Sequence, residues 1–365
     1  MEFWQGKKVL ITGHTGFKGS WLSLWLQSLG VELVGFSRAP PTQPNLFEIT
    51  QLRKGMVSLL GDVCDFQALQ TTLKKYQPEI IIHMAAQSLV RYSYVAPLET
   101  YTTNVMGTVN ILEAARLSDS VKVLINVTSD KCYENKSLNR GYHENDRLGG
   151  YDPYSNSKAC SELVTQSYRS AYFEKQEIGI ATVRAGNVIG GGDWAKNRLV
   201  PDIINACIER KNILLRYPHA LRPWQYVLEP LYGYMMLAQA LYNSPSSGSY
   251  AESWNFGPDE ENVKSVSWIA DYILKIWNSS MGWILDEDQC PMEASILQLD
   301  CSKAKKYLGW RPIWNIDRGL KETVDWYLAY QERQDMRDIT IHQISKYVDE
   351  ISNLKLDNVT QGSYQ

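Results

Sequence analysis

The chain has 365 residues, 44% of them hydrophobic and 21% charged, and a formal net charge of −3. Such a balance is expected of a soluble globular protein of one large unit or two joined lobes, and gives no reason to expect a polyanion partner such as a nucleic acid. Six scattered cysteines without a Cys-x-x-Cys pair read as reduced thiols, no apolar run approaches the ~18 residues of a membrane span, and the opening MEFWQGKK lacks a signal-peptide core, so a cytoplasmic protein with no membrane partner is expected.

The first half alternates short apolar runs with longer helical patterns. VLIT (9–12) reads as a strand, and a glycine loop follows it. Residues 21–30 have helical spacing and end in Gly30. Strands are expected at 31–36, 56–62, 79–83, 121–127 and 178–184, with helices at 66–76, 97–117 and 153–173 between them. Strands that are apolar throughout, separated by helices, indicate an α/β fold with a doubly wound parallel sheet. Beyond residue 185 Gly, Pro and Trp punctuate the chain, and helical patterns recur at 200–210, 230–243, 266–279 and 319–333. The expected organisation is a dinucleotide-binding domain at 1–185 with a return segment near 222–250, a smaller substrate lobe at 186–330, and a polar tail at 331–365 holding a docking helix.

Three clusters carry chemistry. The loop Gly13-His14-Thr15-Gly16-Phe17-Lys18-Gly19 links the first strand to the first helix. Glycines there let the backbone approach a pyrophosphate, and a helix N-terminus presents free N–H groups to it. Tyr154 and Lys158, four apart after Pro153, share a helix face. An ammonium beside a phenol favours phenolate, which makes the tyrosine a base for a substrate hydroxyl. Thr128-Ser129-Asp130-Lys131 ends the strand at 121–127, setting alcohols, a carboxylate and an ammonium at the lip of the core. The five histidines have no metal-ligand spacing, so no metal is expected.

These motifs resemble the extended branch of the short-chain dehydrogenase/reductase superfamily, and within it the nucleotide-sugar 4,6-dehydratases. AAQSLVRYSY, TSDKCYEN, RAGNVIGGGDW, NRLVPDIINA, RPWQYVLEPLYGY, SWNFGP and LDCSKAKKYLGW carry the likeness over residues ~5–330. The resemblance implies a Rossmann-type sheet with a smaller mixed α/β substrate-binding lobe. It implies NAD held by Gly13, Thr15, Gly16, Phe17, Gly19, Ser37, Arg38, Asp62, Val63, Ala85, Ala86, Gln87, Asn104 and Thr128, together with Tyr154 and Lys158. The acid that should end the second strand is absent. Phe36-Ser37-Arg38 stands there, and Arg38 leaves NADP open.

The resemblance also assigns catalysis to Ser129, Asp130, Lys131, Tyr154 and Lys158, with Lys131 where dTDP-glucose enzymes carry Glu. Substrate contacts fall to Ser88, Arg91, Asn187, Arg198, Arg222 and Tyr226, and Trp224 reads as lobe core. The implied substrate is CDP-glucose, dehydrated by internal hydride transfer, in a homodimer built by a four-helix bundle or in a tetramer of such dimers. A GDP-mannose or dTDP-glucose dehydratase, a nucleotide-sugar 4-epimerase and a non-catalytic NAD(P)-sensing protein remain the alternatives.

Overall fold

A computed structural model describes residues 1–365 except 137, 139, 245–249, 287–296 and 363–365, and leaves the side chains of 355–362 aside. Seven parallel strands form the central sheet: β1 (Lys8–Thr12), β2 (Glu32–Ser37), β3 (Val57–Leu60), β4 (Ile80–His83), β5 (Val123–Val127), β6 (Gly179–Arg184) and β7 (Ser253–Asn255). Their order is β7-β6-β5-β4-β1-β2-β3. The chain starts in the middle at β1, winds outward to β3, and then returns to β4 on the other side. That reversal between β1 and β4 leaves a crevice at the strands' carboxyl ends, where folds of this kind bind ligands.

The strands are apolar on both faces because both faces are covered. Val9, Ile11, Ile80, Ile82, Val123 and Ile125 enter one core, which takes in Trp21 and Trp25 of α1 (Phe17–Ser28). Leu10, Ile81, Leu124 and Ile180 enter the other, with Leu69 and Leu73 of α2 (Phe66–Tyr76). Between β4 and β5 run α3 (Val90–Val95), α4 (Pro97–Tyr101) and α5 (Gly107–Arg116). The single helix expected over 97–117 is therefore divided, by a π-turn at Thr102–Met106. α6 (Pro153–Tyr168) follows β5, and its expected continuation to residue 173 is a second π-turn at Arg169–Phe173. Such turns are common near functional sites.

The second half contributes α7 (Leu199–Glu209), α8 (Leu228–Asn243), α9 (Val266–Trp277) and α10 (Ile316–Gln331). Two-stranded pairings join 188–189 to 225–226, 221–223 to 263–265, and 213–215 to 283–285. The tail is a helix, α11 (Met336–Gly362). Arg337 donates to Gln27 Oε1 and to the Thr50 carbonyl at 2.9 and 3.2 Å, which ties it back to the first βαβ unit. β7 was not expected from its sequence. It is only three residues long, and inside SWNFGP nothing separates it from a loop.

Candidate active site

The glycine loop is fixed by close packing. Gly13 has φ +80°, its N–H donates to the Phe36 carbonyl, and a Cβ there would lie 2.7 Å from Ala85 N. A Cβ on Gly19 would lie 2.1 Å from Gly13 O. Gly16 caps α1 without a side-chain acceptor, so the first-turn N–H groups are left for a ligand. Thr15 Oγ lies 2.8 Å from Ser37 Oγ and donates to the Arg38 carbonyl at 3.0 Å, joining the loop to the end of β2. His14 is buried and bonded to Ser58 Oγ at 2.8 Å; burial and Arg53 push its pKa down to about 4, so it is neutral.

Asn104 is buried between the loop after β4 and α6. Its amide donates to the Gln87 carbonyl and to Ser157 Oγ, and its oxygen accepts from Gln87 N at 2.8 Å. It thus clamps the Ala85-Ala86-Gln87 loop to α6. Asp62 accepts from Cys64 N at 2.9 Å, and Val63 packs in the second core.

At the end of β5 the chain turns through a short 3₁₀ segment, Asp130–Cys132, capped by Ser129. Ser129 Oγ donates to Asp130 Oδ1 at 2.9 Å, and Lys131 N reaches the same carboxylate at 3.0 Å. Asp130 is buried beneath Gly186, where a Cβ would come within 1.9 Å of Asp130 Oδ2. Thr128 Oγ donates a hydrogen bond to Glu162 Oε1, which holds it from behind. Glu162 is locked to Arg184 at 2.8 Å, with both side chains 2% exposed.

Tyr154 and Lys158 of α6 are both buried. Lys158 Nζ donates to the Val127 carbonyl at 3.2 Å, and burial lowers its pKa to about 8 against the pull of Glu162. Tyr154 differs from expectation. Burial raises it to about 12, opposed by its hydrogen bond to Ser129 and by Arg198. In this geometry Lys158 is committed to a backbone carbonyl, and the phenol's immediate partner is the serine.

Two of the expected arginines, Arg198 and Arg91, lie near the loop at 193–198. Arg198 bonds Asp193 at 2.8 Å and Ser88 Oγ at 3.0 Å, and Arg91 reaches Asn197 at 3.3 Å. Arg216, not anticipated, meets the same Asn197 at 3.4 Å. Asn187 adopts φ +49°, and its carbonyl accepts from Gln225 N. Arg222 lies on the strand Leu221–Pro223 and donates to the Leu221 carbonyl. Tyr226 is a correction: it is 1% exposed, its hydroxyl donates to Gln343 Oε1 at 2.6 Å, and it packs on Trp21 and Trp314. It belongs to the core, out of a substrate's reach. Trp224 is core as expected.

Sequence reasoning missed Lys18. Its ammonium donates to Tyr234 Oη at 2.9 Å, and burial with Lys158 and Arg198 lowers its pKa to about 7, while Asp130 pulls the other way. An ammonium between Phe17 and Gly19 in a phosphate-type loop was the available signal. Tyr234 gave none, since it sits mid-helix in an apolar stretch.

The model of the GDP-mannose 4,6 dehydratase family matches residues 10–323. A CDP-glucose 4,6-dehydratase of Salmonella typhimurium is 49% identical over 352 residues, 95% of this chain and 98% of that one. A dTDP-glucose 4,6-dehydratase of Haemophilus influenzae is 26% identical over 88% of this chain and 97% of its own. Among solved structures, a dTDP-glucose 4,6-dehydratase from Bacillus anthracis in complex with NAD superposes with TM-score 0.73 at 22% identity, covering 91% of this chain and 100% of that one. A UDP-glucose 4-epimerase of Thermotoga maritima with UDP-glucose gives 0.77 at 19%, over 88% and 99%. These two likenesses establish the fold. The family match and the 49% relative together place this chain among the nucleotide-sugar 4,6-dehydratases, in the GDP-mannose 4,6-dehydratase family.

Proposed function

We propose that the chain converts CDP-D-glucose to CDP-4-dehydro-6-deoxy-D-glucose and water, using NAD that is regenerated within each turnover. The observation that carries this reading is the convergence of Ser129, Asp130, Tyr154 and Lys158 at the carboxyl ends of β5 and α6's first turns. The 49% relative supports CDP-glucose as the substrate, and the NAD in the Bacillus anthracis structure supports the cofactor.

The residues present fit a dinucleotide. The uncapped first turn of α1 and the close-packed Gly13 and Gly19 suit a pyrophosphate, while Ser37, Asp62 and Val63 line the adenosine end and Ala85, Ala86, Gln87, Thr128 and Lys158 the nicotinamide end. When bound, the nicotinamide supplies an acceptor for the hydride of sugar carbon 4 and the donor that later delivers it to carbon 6. We assign Tyr154 as the base for the carbon 4 hydroxyl; the form that takes the proton is its phenolate, which burial disfavours and the Ser129 hydrogen bond and Arg198 favour. A ketone at carbon 4 acidifies the proton on carbon 5; we assign Lys131 to remove that proton or to stabilise the resulting enolate, and a proton returns to carbon 5 as the hydride reaches carbon 6. Asp130 protonates the hydroxyl leaving carbon 6, so one water departs. A 4-epimerase needs no such acid–base pair beside its tyrosine. Ser88, Arg91, Asn187, Arg198 and Arg222 receive the diphosphate and sugar, a fork of guanidinium donors being suited to phosphate oxygens.

The same reading divides the chain into a dinucleotide-binding domain at 1–185 with a return at 222–250, a substrate lobe at 186–330, and the tail. It places the protein in the cytoplasm; no helix among the described residues is long and apolar enough to cross a membrane. It pairs α5 and α6 with those of a second copy. Met106, Leu163 and Tyr172, 50%, 53% and 45% exposed on those segments, support that pairing, while Leu112 is spent on the sheet. The test of function is a panel of CDP-glucose, dTDP-glucose, GDP-mannose and UDP-glucose with added NAD. The expected result is a 4-keto-6-deoxy product from CDP-glucose. Turnover of another sugar nucleotide with CDP-glucose untouched would overturn the substrate assignment.

A further inference from the structure

The end of β2 presents a conflict. An acid there would hold the adenosine ribose of NAD, and this chain has none; an arginine there would take the 2′-phosphate of NADP, and this chain has Arg38. The structure shows that the guanidinium is already engaged. Arg38 Nη1 lies 3.0 Å from Glu99 Oε1, across from β2 on α4. The other oxygen of Glu99 accepts from Tyr92 Oη at 2.6 Å, which fixes the carboxylate from behind. Arg38 is in turn anchored beside the glycine loop, since its carbonyl accepts from Thr15 Oγ.

We propose that the Arg38–Glu99 pair selects NAD over NADP: Glu99 supplies from α4 the carboxylate that β2 lacks, and it occupies the guanidinium that a 2′-phosphate would need. The proposal rests on the dinucleotide reading above and deepens it.

Charge supports the assignment. Asp62, at the end of β3, acts electrostatically on both Arg38 and Glu99. Asp62 therefore adds a second negative charge to the field around the Arg38–Glu99 pair, and Cys64 is held neutral chiefly by burial, its thiol pushed up to about 11. A ribose 2′-hydroxyl can donate to a carboxylate in such a place. A phosphate dianion would have to break the pair or lie against net negative charge. The pair is partly exposed, with 62% and 37% of the two side chains in solvent, so its contribution to folding is small and its substitution leaves the fold intact. Selectivity, by contrast, depends on which charge is presented to the ligand, and a like-charge encounter is costly even where the pair itself is weak.

The experiment measures NAD and NADP affinities separately by calorimetric titration of the purified full chain freed of bound dinucleotide. The wild type is expected to bind NAD at least tenfold more tightly than NADP. Glu99→Gln keeps the shape and the Tyr92 bond but frees Arg38; the NADP-to-NAD ratio of dissociation constants should fall at least tenfold. Adding Arg38→Ala to that variant should abolish the gain. A ratio within twofold of wild type in Glu99→Gln, or a gain that persists without Arg38, overturns the proposal while leaving NAD binding standing. A wild type that binds neither dinucleotide overturns the cofactor reading itself.

Discussion

The acid–base group depends on clearances of a single atom. Gly186 stands over the Asp130 carboxylate, and a methyl there would land within 1.9 Å of Oδ2, with its three nearest neighbours all atoms of Asp130. Gly186→Ala must therefore displace the Asp130 carboxylate from this position or shift the backbone that carries the new methyl. We expect the fold and dinucleotide affinity to be kept and turnover to fall roughly 10²-fold or more, as when a general acid is misplaced; steady-state kinetics beside a titration checks both halves. Lys131→Met keeps the stem and removes the amine. If Lys131 serves the carbon 5 proton, dehydration should slow roughly 10²–10⁴-fold while exchange of that proton with solvent is lost. Undiminished exchange would leave Lys131 a charge at the lip of the sheet. The chemistry-bearing residues were legible because motif and position agreed: a glycine loop after the first strand, a Tyr and Lys on one helix face, and polar groups at the end of an apolar strand. Lys18, Tyr234 and Gly186 were not, because their importance is a matter of which distant side chain they touch. Tyr226 failed for the same reason, a motif residue turned inward to Gln343.

At the scale of elements, two buried carboxylates hold the framework. Glu162 of α6 accepts from Thr128, Thr182 and Arg184, joining that helix to β5 and β6. Removing its partner would strand a buried charge, so Arg184→Met should destabilise by roughly 3–5 kcal/mol, read by denaturant unfolding. Glu229 of α8 accepts from Ile313 N, Trp314 N and Tyr347 Oη, linking α8 to α11. Burial raises its pKa to about 7 from 4.5. The folded state thus binds a proton that the unfolded state has lost, and the contribution is full below pH 4.5 and fades as pH rises to about 7. Thermal unfolding should show stability falling between pH 5 and 8 more steeply in the wild type than in Glu229→Gln. Equal slopes would deny Glu229 that role. Helix boundaries were read to within a few residues, whereas the π-turns at 102–106 and 169–173 were not, since Thr-Thr-Asn and Arg-Ser-Ala carry no breaker.

For the whole molecule, the doubly wound order was legible from the alternation of apolar runs and helices through β6. The last strand was not, because β7 is short and arrives only after the lobe has been built. The docking of α11 followed from its apolar spacing, but its partners, Gln27 and Thr50, lie some 290 residues upstream and are invisible to local pattern. A dimer through α5 and α6 should appear in light scattering at micromolar concentration, and a monomer there would remove that pairing. The central claim is that one hydride travels within one sugar. The direct measurement is the fate of deuterium in CDP-D-glucose labelled at carbon 4, followed by NMR and mass spectrometry of the product. Internal transfer puts the label at carbon 6 of a 4-keto-6-deoxy sugar, with no net reduction of the cofactor. Label returned to carbon 4 of an epimer, or lost to water, would contradict it.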